Sequence, residues 1–158
     1  MPNPLFLPGE TIAAAKLQQL GNEGIFTPTL TAVTTNPTLG TSPTQTALVW
    51  LNGQMVNIWF TIIFGTGMTA GSGAYQVPLP TAYPIIAGAY NTGVGTGRVY
   101  DSSGATGRIT SLQIDPATQK IIMYDSTNGN AITNAAPWTF AANDEVHGHV
   151  AYITDFGI

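Results

Sequence analysis

The sequence predicts an all-β protein: a single antiparallel β-sandwich of jelly-roll type, preceded by an extended N-terminal arm and one short helix. Twenty-three of the 158 residues are threonine, a β-branched residue that is enriched in strands. Short strand-like runs recur along residues 47–153 and are separated by turns rich in glycine and proline, which is typical of sandwiches and barrels. The length fits one hydrophobic core. We therefore expect two units, residues 1–24 and residues 25–158.

Residues 1–24 are predicted to form an arm and an anchor. Three prolines among the first eight residues keep the chain extended, because proline fixes φ and disfavours helix at the preceding residue. Thr11 is a candidate N-cap and Gly21 a candidate stop for a helix over residues 12–20. Such a short helix is marginal by itself, so it needs a surface on its own domain, on a sister subunit or on a neighbouring protein. We favour docking on another protein through the apolar side chains of Ile12, Ala13, Leu17 and Leu20.

The strongest local signal is Asn52-Gly53 between two strand-like runs, because a type I′ hairpin turn needs positive φ at both positions. On the second strand, residues 54–63, alternate side chains share a face. One face is predicted to be core, and its residues are Val56, Ile58, Phe60 and Ile62. The opposite face carries Met55 and Trp59 and is more apolar than a solvated face requires. A subunit contact or a covering segment is expected there.

The rest of the chain is interpreted as short strands and turns. Residues 27–46 are rich in Thr, Pro, Asn and Gly, which indicates an extended segment with one short edge strand. The stretch 115–118 (DPAT) predicts the turn of a second hairpin. The stretch 93–97 (GVGTG) predicts a hairpin loop, because a dinucleotide-binding loop would be followed by a helix. Strands are predicted at residues 74–79, 85–90, 98–100, 109–114, 120–124, near 139, and 146–153.

The scarcity of charge excludes several function classes. The four cationic side chains are dispersed and form no basic stripe, so a nucleic-acid partner is not expected. The longest nearly apolar run, residues 58–64, is far shorter than the roughly 20 residues of a membrane-spanning helix. No membrane insertion is expected. With eight acids, four bases and two histidines, there is little from which to build a catalytic pocket. We therefore expect no enzymatic activity and no cofactor.

Two acidic stretches are interpreted as structural. Asp144-Glu145 stands at a turn before a strand, where acids are usually solvated, so a catalytic carboxylate pair is not favoured. Residues 125–130 are rich in oxygen-bearing side chains but lack the alternating ligands and terminal glutamate of a calcium loop. A tight polar turn explains them better.

His147-Gly148-His149 is the candidate metal site. Residues i and i+2 of a strand project from the same face, so the two imidazoles could share a metal ion. Two ligands from one chain are too few. Three chains around a threefold axis would supply six histidines, which would make a metal staple of a trimer. The alternative is that His147 and His149 face solvent.

Several stretches in the same order resemble a module common in minor tail and other exterior structural proteins of tailed bacteriophages. The best match covers residues 25–84. Its motifs are FTPTL at 26–30, TTNPTLG at 34–40, NG at 52–53 and GSGAYQVPLP at 71–80, with LPGETIAAAKL at 7–17 and WTFAANDEV at 138–146 as flanking matches. The chain departs from the module at 48–51 (LVWL), where the module carries a glycine and an arginine-tyrosine pair, and at the two histidines of the last strand.

The resemblance implies a virion structural protein with no catalytic residues. We predict a non-enzymatic subunit on the exterior of a phage particle, anchored by its N-terminal arm and helix to other virion proteins and assembled as a homotrimer. One alternative is a capsid decoration protein, cement protein or head fibre. Another is a carbohydrate-binding adhesin, in which the loops at residues 65–73 and 91–97 hold a host glycan against tyrosines.

Overall fold

The computed structural model describes residues 23–86 and 93–154, and within these ranges it contains nine strands and no helix. The all-β prediction is confirmed. The predicted arm and the helix over residues 12–20 lie outside the described residues. The strands are β1 (Glu23–Phe26), β2 (Thr31–Ala32), β3 (Thr44–Asn52), β4 (Met55–Ile63), β5 (Tyr75–Pro78), β6 (Gly93–Asp101), β7 (Thr106–Asp115), β8 (Lys120–Asp125) and β9 (Glu145–Ile153).

The strands form one antiparallel sheet in the order β1-β3-β4-β9-β6-β7-β8-β5-β2. This corrects the predicted sandwich, which has two facing sheets. The single sheet curls into a half-barrel, so that side chains from distant strands meet on one inner face. Strand twist makes such curling possible without a second sheet. The last strand, β9, lies in the middle of the sheet, between β4 and β6.

The predicted hairpin at Asn52-Gly53 is confirmed, but its turn lies one residue further along. Asn52 pairs with Met55, so the two loop residues are Gly53 and Gln54. Only Gly53 has a positive φ, of 63°. This is the pattern of a type II′ turn, which needs one glycine at its first central position, whereas type I′ needs positive φ at both. The second predicted hairpin is also confirmed, since Asp115 pairs with Lys120 around the predicted turn.

The inner face of the sheet holds the hydrophobic core. Val56, Ile58, Phe60 and Ile62 are all buried on it. Gly148 of β9 leaves space there: a Cβ at this position would collide with the ring of Phe60 and lie 2.8 Å from Leu112 Cδ1. The remaining strand residues of the core are Ala32, Ala47, Val49, Leu51, Tyr75, Val77, Val99, Leu112, Ile114, Ile121, Met123, Val146, Val150 and Tyr152.

Segments outside the strands cover one end of this core. Phe64, Tyr75 and Phe140 form an aromatic cluster with ring centroids 5.2–6.3 Å apart. Leu30 and Ile132 are buried beside them in the same hydrophobic cluster. The predicted edge strand within residues 27–46 is β2, and the following segment pairs with residues 66–72 through isolated bridges at Thr35, Thr38 and Thr41.

Three predictions about strands are corrected. The glycine-rich stretch 93–97 begins β6 instead of forming a loop, because Gly95 and Gly97 lie so close to the backbone of β9 that no side chain would fit. The strand β1 was not predicted at residues 23–26, and it pairs with β3 through Ile25 and Leu48. No strand occurs near residue 139. The strand predicted at 85–90 lies partly outside the described residues, and Ile85 makes an isolated bridge to Thr154.

The acidic side chains at the turns accept hydrogen bonds from backbone amides. Asp144 is 1% exposed, which corrects the expectation of a solvated acid. Its two carboxylate oxygens accept hydrogen bonds from the amides of Ser102 (3.0 Å) and Ala141 (2.9 Å), which satisfies a buried charge. The predicted polar turn after Asp125 is confirmed, because its carboxylate accepts a hydrogen bond from the amide of Thr127.

Candidate functional site

The outer face of the sheet carries an apolar surface across β1, β3, β4 and β9. We call it the outer patch. In the strand register, Ile25 stands beside Leu48 and Leu48 beside Trp59, while Met55 stands beside Ile153. Ile25 is 82% exposed, and the other four side chains are each about half exposed. The outer patch consists of Ile25, Leu48, Trp50, Met55, Trp59 and Ile153.

Two tryptophans of the outer patch enclose His149. The imidazole is stacked on Trp50, with ring centroids 6.1 Å apart and an interplanar angle of 12°. The second tryptophan, Trp59, also contacts the imidazole, and the ring centroids of Trp59 and His149 are 5.0 Å apart. The Nε2 atom of His149 is buried and has no hydrogen-bond partner among the described residues. The planes of Trp59 and His149 are tilted by 40°, so the three rings form one contacting group on adjacent strands in which only Trp50 and His149 are stacked.

A groove of about 600 Å³ runs beside the outer patch and is centred on β9. We call it the β9 groove. Leu48 and Trp59 line one side, and Arg98 and Ile109 line the other. Thr61, Thr96 and His147 also line it, so apolar walls stand next to hydroxyl, imidazole and guanidinium groups. A groove with apolar or aromatic walls and a few polar groups is the usual form of a small-ligand site.

The polar groups of the β9 groove are oriented by their neighbours. Nε2 of His147 lies 2.7 Å from Oε2 of Glu145, and Nδ1 lies 3.0 Å from the hydroxyl of Thr61. Because a carboxylate only accepts hydrogen bonds, the neutral imidazole donates from Nε2 and accepts at Nδ1. Arg98 lies with its guanidinium carbon 4.4 Å from the centroid of the Tyr100 ring, a cation–π contact.

The two histidines predicted as metal ligands project from the same outer face, as their spacing implied, but they have different surroundings. Both nitrogens of His147 contact protein groups, whereas His149 contacts the rings of two tryptophans. In the described ranges, no group of three or more potential metal ligands is present. A metal shared between chains at His147 and His149 stays a prediction. The predicted anchor residues Ile12, Ala13, Leu17 and Leu20 lie outside the described residues.

The tyrosines expected to hold a glycan are used mainly for packing. Tyr75 and Tyr152 are buried, and their hydroxyls donate to the carbonyls of Ala70 (2.8 Å) and Tyr83 (2.7 Å). Burial raises the pKa of both phenols above the usual range, and the nearby carboxylate of Asp144 adds to the effect at Tyr75. Nor are residues 65–73 an open loop, since they pair with the segment after β2.

The sequence pattern indicated part of this site and missed the rest. The apolar excess around Trp59 is visible in the alternation of β4. The contribution of Trp50 and the approach of Arg98 were missed, because both depend on which strands are neighbours. Trp50 reaches His149 across β4, and Arg98 lies opposite His147 because β9 is inserted next to β6. No local signal in the sequence indicates that insertion.

Comparison with known proteins gives one informative likeness. The chain is similar in fold to the crystal structure of the Dettilon tailspike protein, with a TM-score of 0.52 and 18% sequence identity. The similarity covers 84% of this chain and 24% of the tailspike chain, so it concerns about a quarter of that protein. No protein-family model matches the chain, and no curated protein sequence matches it. Among the described residues, no helix is long and apolar enough to cross a membrane.

Proposed function

We propose that the protein is a structural domain on the exterior of a tailed-phage virion, in the tail or a tail-like appendage, and that it acts without catalysis. The observation that carries this proposal is the fold likeness to a tailspike over 84% of the chain. The composition supports it, because a chain with only 8% charged residues interacts mainly through hydrogen bonds and apolar contacts. Such contacts depend little on ionic strength.

The environment of the acids supports the non-catalytic part of the proposal. Asp144 is buried on backbone amides. Hydrogen bonds from the Gly104 amide and the Ser103 hydroxyl lower the pKa of Asp101, so this carboxylate is bound to groups of its own turn. The Thr118 hydroxyl and the Ala117 amide do the same for Asp115. The carboxylates of these three acids accept hydrogen bonds from nearby backbone amides and hydroxyls of the same protein. They are therefore poorly placed to act as a general acid or base.

The attachment follows the sequence expectations. Residues 1–24, with the side chains of Ile12, Ala13, Leu17 and Leu20, anchor the domain to other virion proteins, and the β domain faces outward in a homotrimer. A decoration protein on the capsid surface would use the same anchor and differs only in its place on the particle.

Labelled virions test the location. Antibodies against residues 25–158, applied to purified particles and viewed by electron microscopy, should label the tail. Label on the head would support the decoration role instead. If mass spectrometry detects no copy of the protein in purified particles, the proposal is wrong. Particles assembled while only a protein lacking residues 1–21 is expressed test the anchor, because the truncated protein should be absent from the purified particles.

The β9 groove favours a second candidate function, the binding of a host glycan. Trp59 offers an aromatic surface for a sugar ring, while Thr61, Thr96 and Arg98 offer hydrogen bonds to its hydroxyls. This places the glycan on the sheet, away from residues 65–73 and from the buried tyrosines, but against Thr96 and Gly97 of the predicted 91–97 loop. Titration calorimetry with host cell-wall polysaccharide should show binding that Trp59→Ala weakens at least tenfold and Val33→Ala, an exposed control, leaves unchanged.

The same samples separate binding from cleavage. If the polysaccharide keeps its length during incubation, the groove binds without hydrolysis, as proposed. Shortening of the polysaccharide would contradict the non-catalytic role. Equal affinity of the Trp59→Ala variant and the unaltered protein would exclude the β9 groove as the glycan site.

A further inference from the structure

We propose that the outer patch is a contact surface between copies of this chain. This inference deepens the proposed homo-oligomeric function and rests on it. Its first support is geometric. The five most exposed members of the patch lie on four consecutive strands. Register pairs join them in two groups, Ile25–Leu48–Trp59 and Met55–Ile153, and the pair of Trp50 and Asn57 stands between the groups. The exposed apolar side chains are therefore concentrated on one face of neighbouring strands, and such surfaces mark interaction sites.

The size of the patch fits the centre of a protein interface. Five large apolar side chains, of which Ile25 is mostly exposed and the other four are about half exposed, offer on the order of 100 Å² each and roughly 500 Å² together. A standard interface buries about 800 Å² on each partner, with an apolar centre and a polar rim. The neighbours of the patch supply that rim: Thr46, Asn52, Asn57 and Thr61 stand beside it in the register of β3 and β4.

The charge distribution favours a second copy as the occupant. None of the six patch residues is charged. Their register partners are asparagine, histidine or other patch members, except Glu23 at the β1 edge, which pairs with Trp50. A strongly charged partner would therefore find one carboxylate at the edge and a neutral centre. Two copies of this chain can meet on the neutral centre without bringing like charges together there, an arrangement that would otherwise cost binding energy.

The three contacting rings provide the rigid centre that a tight contact needs. Trp50, His149 and Trp59 are already ordered by each other, so little side-chain entropy is lost when a partner covers them. Tryptophan is also among the residues that most often dominate interface energetics.

Sedimentation velocity of the full-length purified protein tests the inference. The unaltered protein should sediment as a dimer or trimer. The double variant Met55→Asp/Ile153→Asp should raise the dissociation constant at least a hundredfold, because it places two charges in the contact. These two residues do not line the β9 groove, so they do not contact a glycan bound there. The groove shares Leu48 and Trp59 with the outer patch, so a second copy on the patch and a glycan on Trp59 compete for the same side chains. Val33→Asp, an exposed apolar position away from the sheet face, is the matched control and should leave assembly unchanged.

Cross-linking gives an independent answer if the double variant fails to fold. The chain contains no cysteine, so Asn57→Cys places a single thiol at the outer face of β4, and Val33→Cys places one outside the patch. A short bis-maleimide should link copies of the first variant and not of the second. A monomer at all concentrations, unchanged assembly of the double variant, or equal cross-linking of both cysteine variants would overturn the inference. Because these measurements use purified protein, they are independent of whether the protein is found in virions.

Discussion

Both faces of β4 carry large apolar side chains, and the two faces are very different in burial. On the inner face, Ile58 and Phe60 are 0% and 3% exposed, whereas Trp59 between them is 55% exposed on the outer face. The same contrast continues across β3 and β9, where buried Val49 and Val150 alternate with the half-exposed Leu48 and with His149. Asn57 and Thr61 make the outer face the more polar one, but polarity does not explain why Trp59 is exposed.

The difference comes from the curl of the sheet. Curling brings β4 and β9 within reach of β7 on the inner side, so Phe60 and Leu112 meet over Gly148. The outer side diverges, and its aromatic groups contact only their neighbours on the same face. An apolar face that the described residues leave uncovered is a candidate contact surface. The comparison therefore separates residues that hold the fold from residues that we assign to assembly and binding.

The largest expected contrast is between adjacent positions of β4. Phe60→Ala should lower the free energy of unfolding by about 3–5 kcal/mol, because it removes a buried ring and leaves a cavity. Trp59→Ala should lower it by less than about 1 kcal/mol, because the side chain is half exposed. Urea denaturation monitored by far-UV circular dichroism measures both in monomeric protein. Similar losses for the two variants would mean that Trp59 also holds the fold.

Close packing at Gly148 gives the next largest effect. Gly148→Ala should cost about 1–3 kcal/mol, because the new methyl group collides with the ring of Phe60. Combining it with Phe60→Leu should cost less than the sum of the two single changes, since the smaller side chain frees space for the methyl. Gly24→Ala is the matched control, because nothing lies within 4 Å of that position. Strict additivity of the two changes would show that Gly148 and Phe60 do not compete for space.

Removing the phenol hydroxyl of Tyr75 tests how burial on the inner face makes the free energy of unfolding depend on pH. Tyr75→Phe should cost about 1 kcal/mol at pH 7 through the lost hydrogen bond to Ala70. Burial first, and Asp144 second, raise the pKa of this phenol in the folded state. Its protonated form therefore contributes stability that is complete below the unfolded pKa of about 10 and is lost as pH rises above it.

The cost of Tyr75→Phe should accordingly shrink at alkaline pH and then reverse. Denaturation curves of the unaltered protein and the variant at pH 7 and pH 11 measure this change. A cost that is the same at both pH values would show that ionisation of Tyr75 is not linked to folding. Tyr152 is expected to behave in the same way, because burial raises its pKa too.

The smallest expected effect is on the outer face. Thr61→Val keeps the shape of the side chain and removes the hydroxyl that bonds Nδ1 of His147, so it should cost less than about 1 kcal/mol. Urea denaturation measures the cost, and the ring proton shifts of His147 in NMR spectra report the lost contact. A loss of several kcal/mol would place this hydrogen bond among the elements that hold the fold.

The elements that sequence reasoning predicted correctly are those with local signals. Alternation indicated that Val56, Ile58, Phe60 and Ile62 share one face, and the structure places all four in the core. The hairpin at Asn52-Gly53 was predicted correctly, but the predicted turn type was wrong. Asn52 pairs with Met55 as the last residue of its strand, and this pairing determines its φ. The stretch 93–97 has the composition of a loop and becomes a strand only because β9 lies against it.

Three properties of the described residues can be predicted from the amino-acid sequence: they form antiparallel strands, they carry little charge, and one face of β4 is buried. These properties follow from side-chain periodicity and composition, which act within a few residues. Long-range strand pairing is needed to place the strands in one curled sheet with β9 at its centre, and to bring Trp50, Trp59 and Arg98 close to His147 and His149. Those arrangements depend on pairing between strands distant in sequence. The choice among such pairings is made by the packing of the whole core, which no local pattern records.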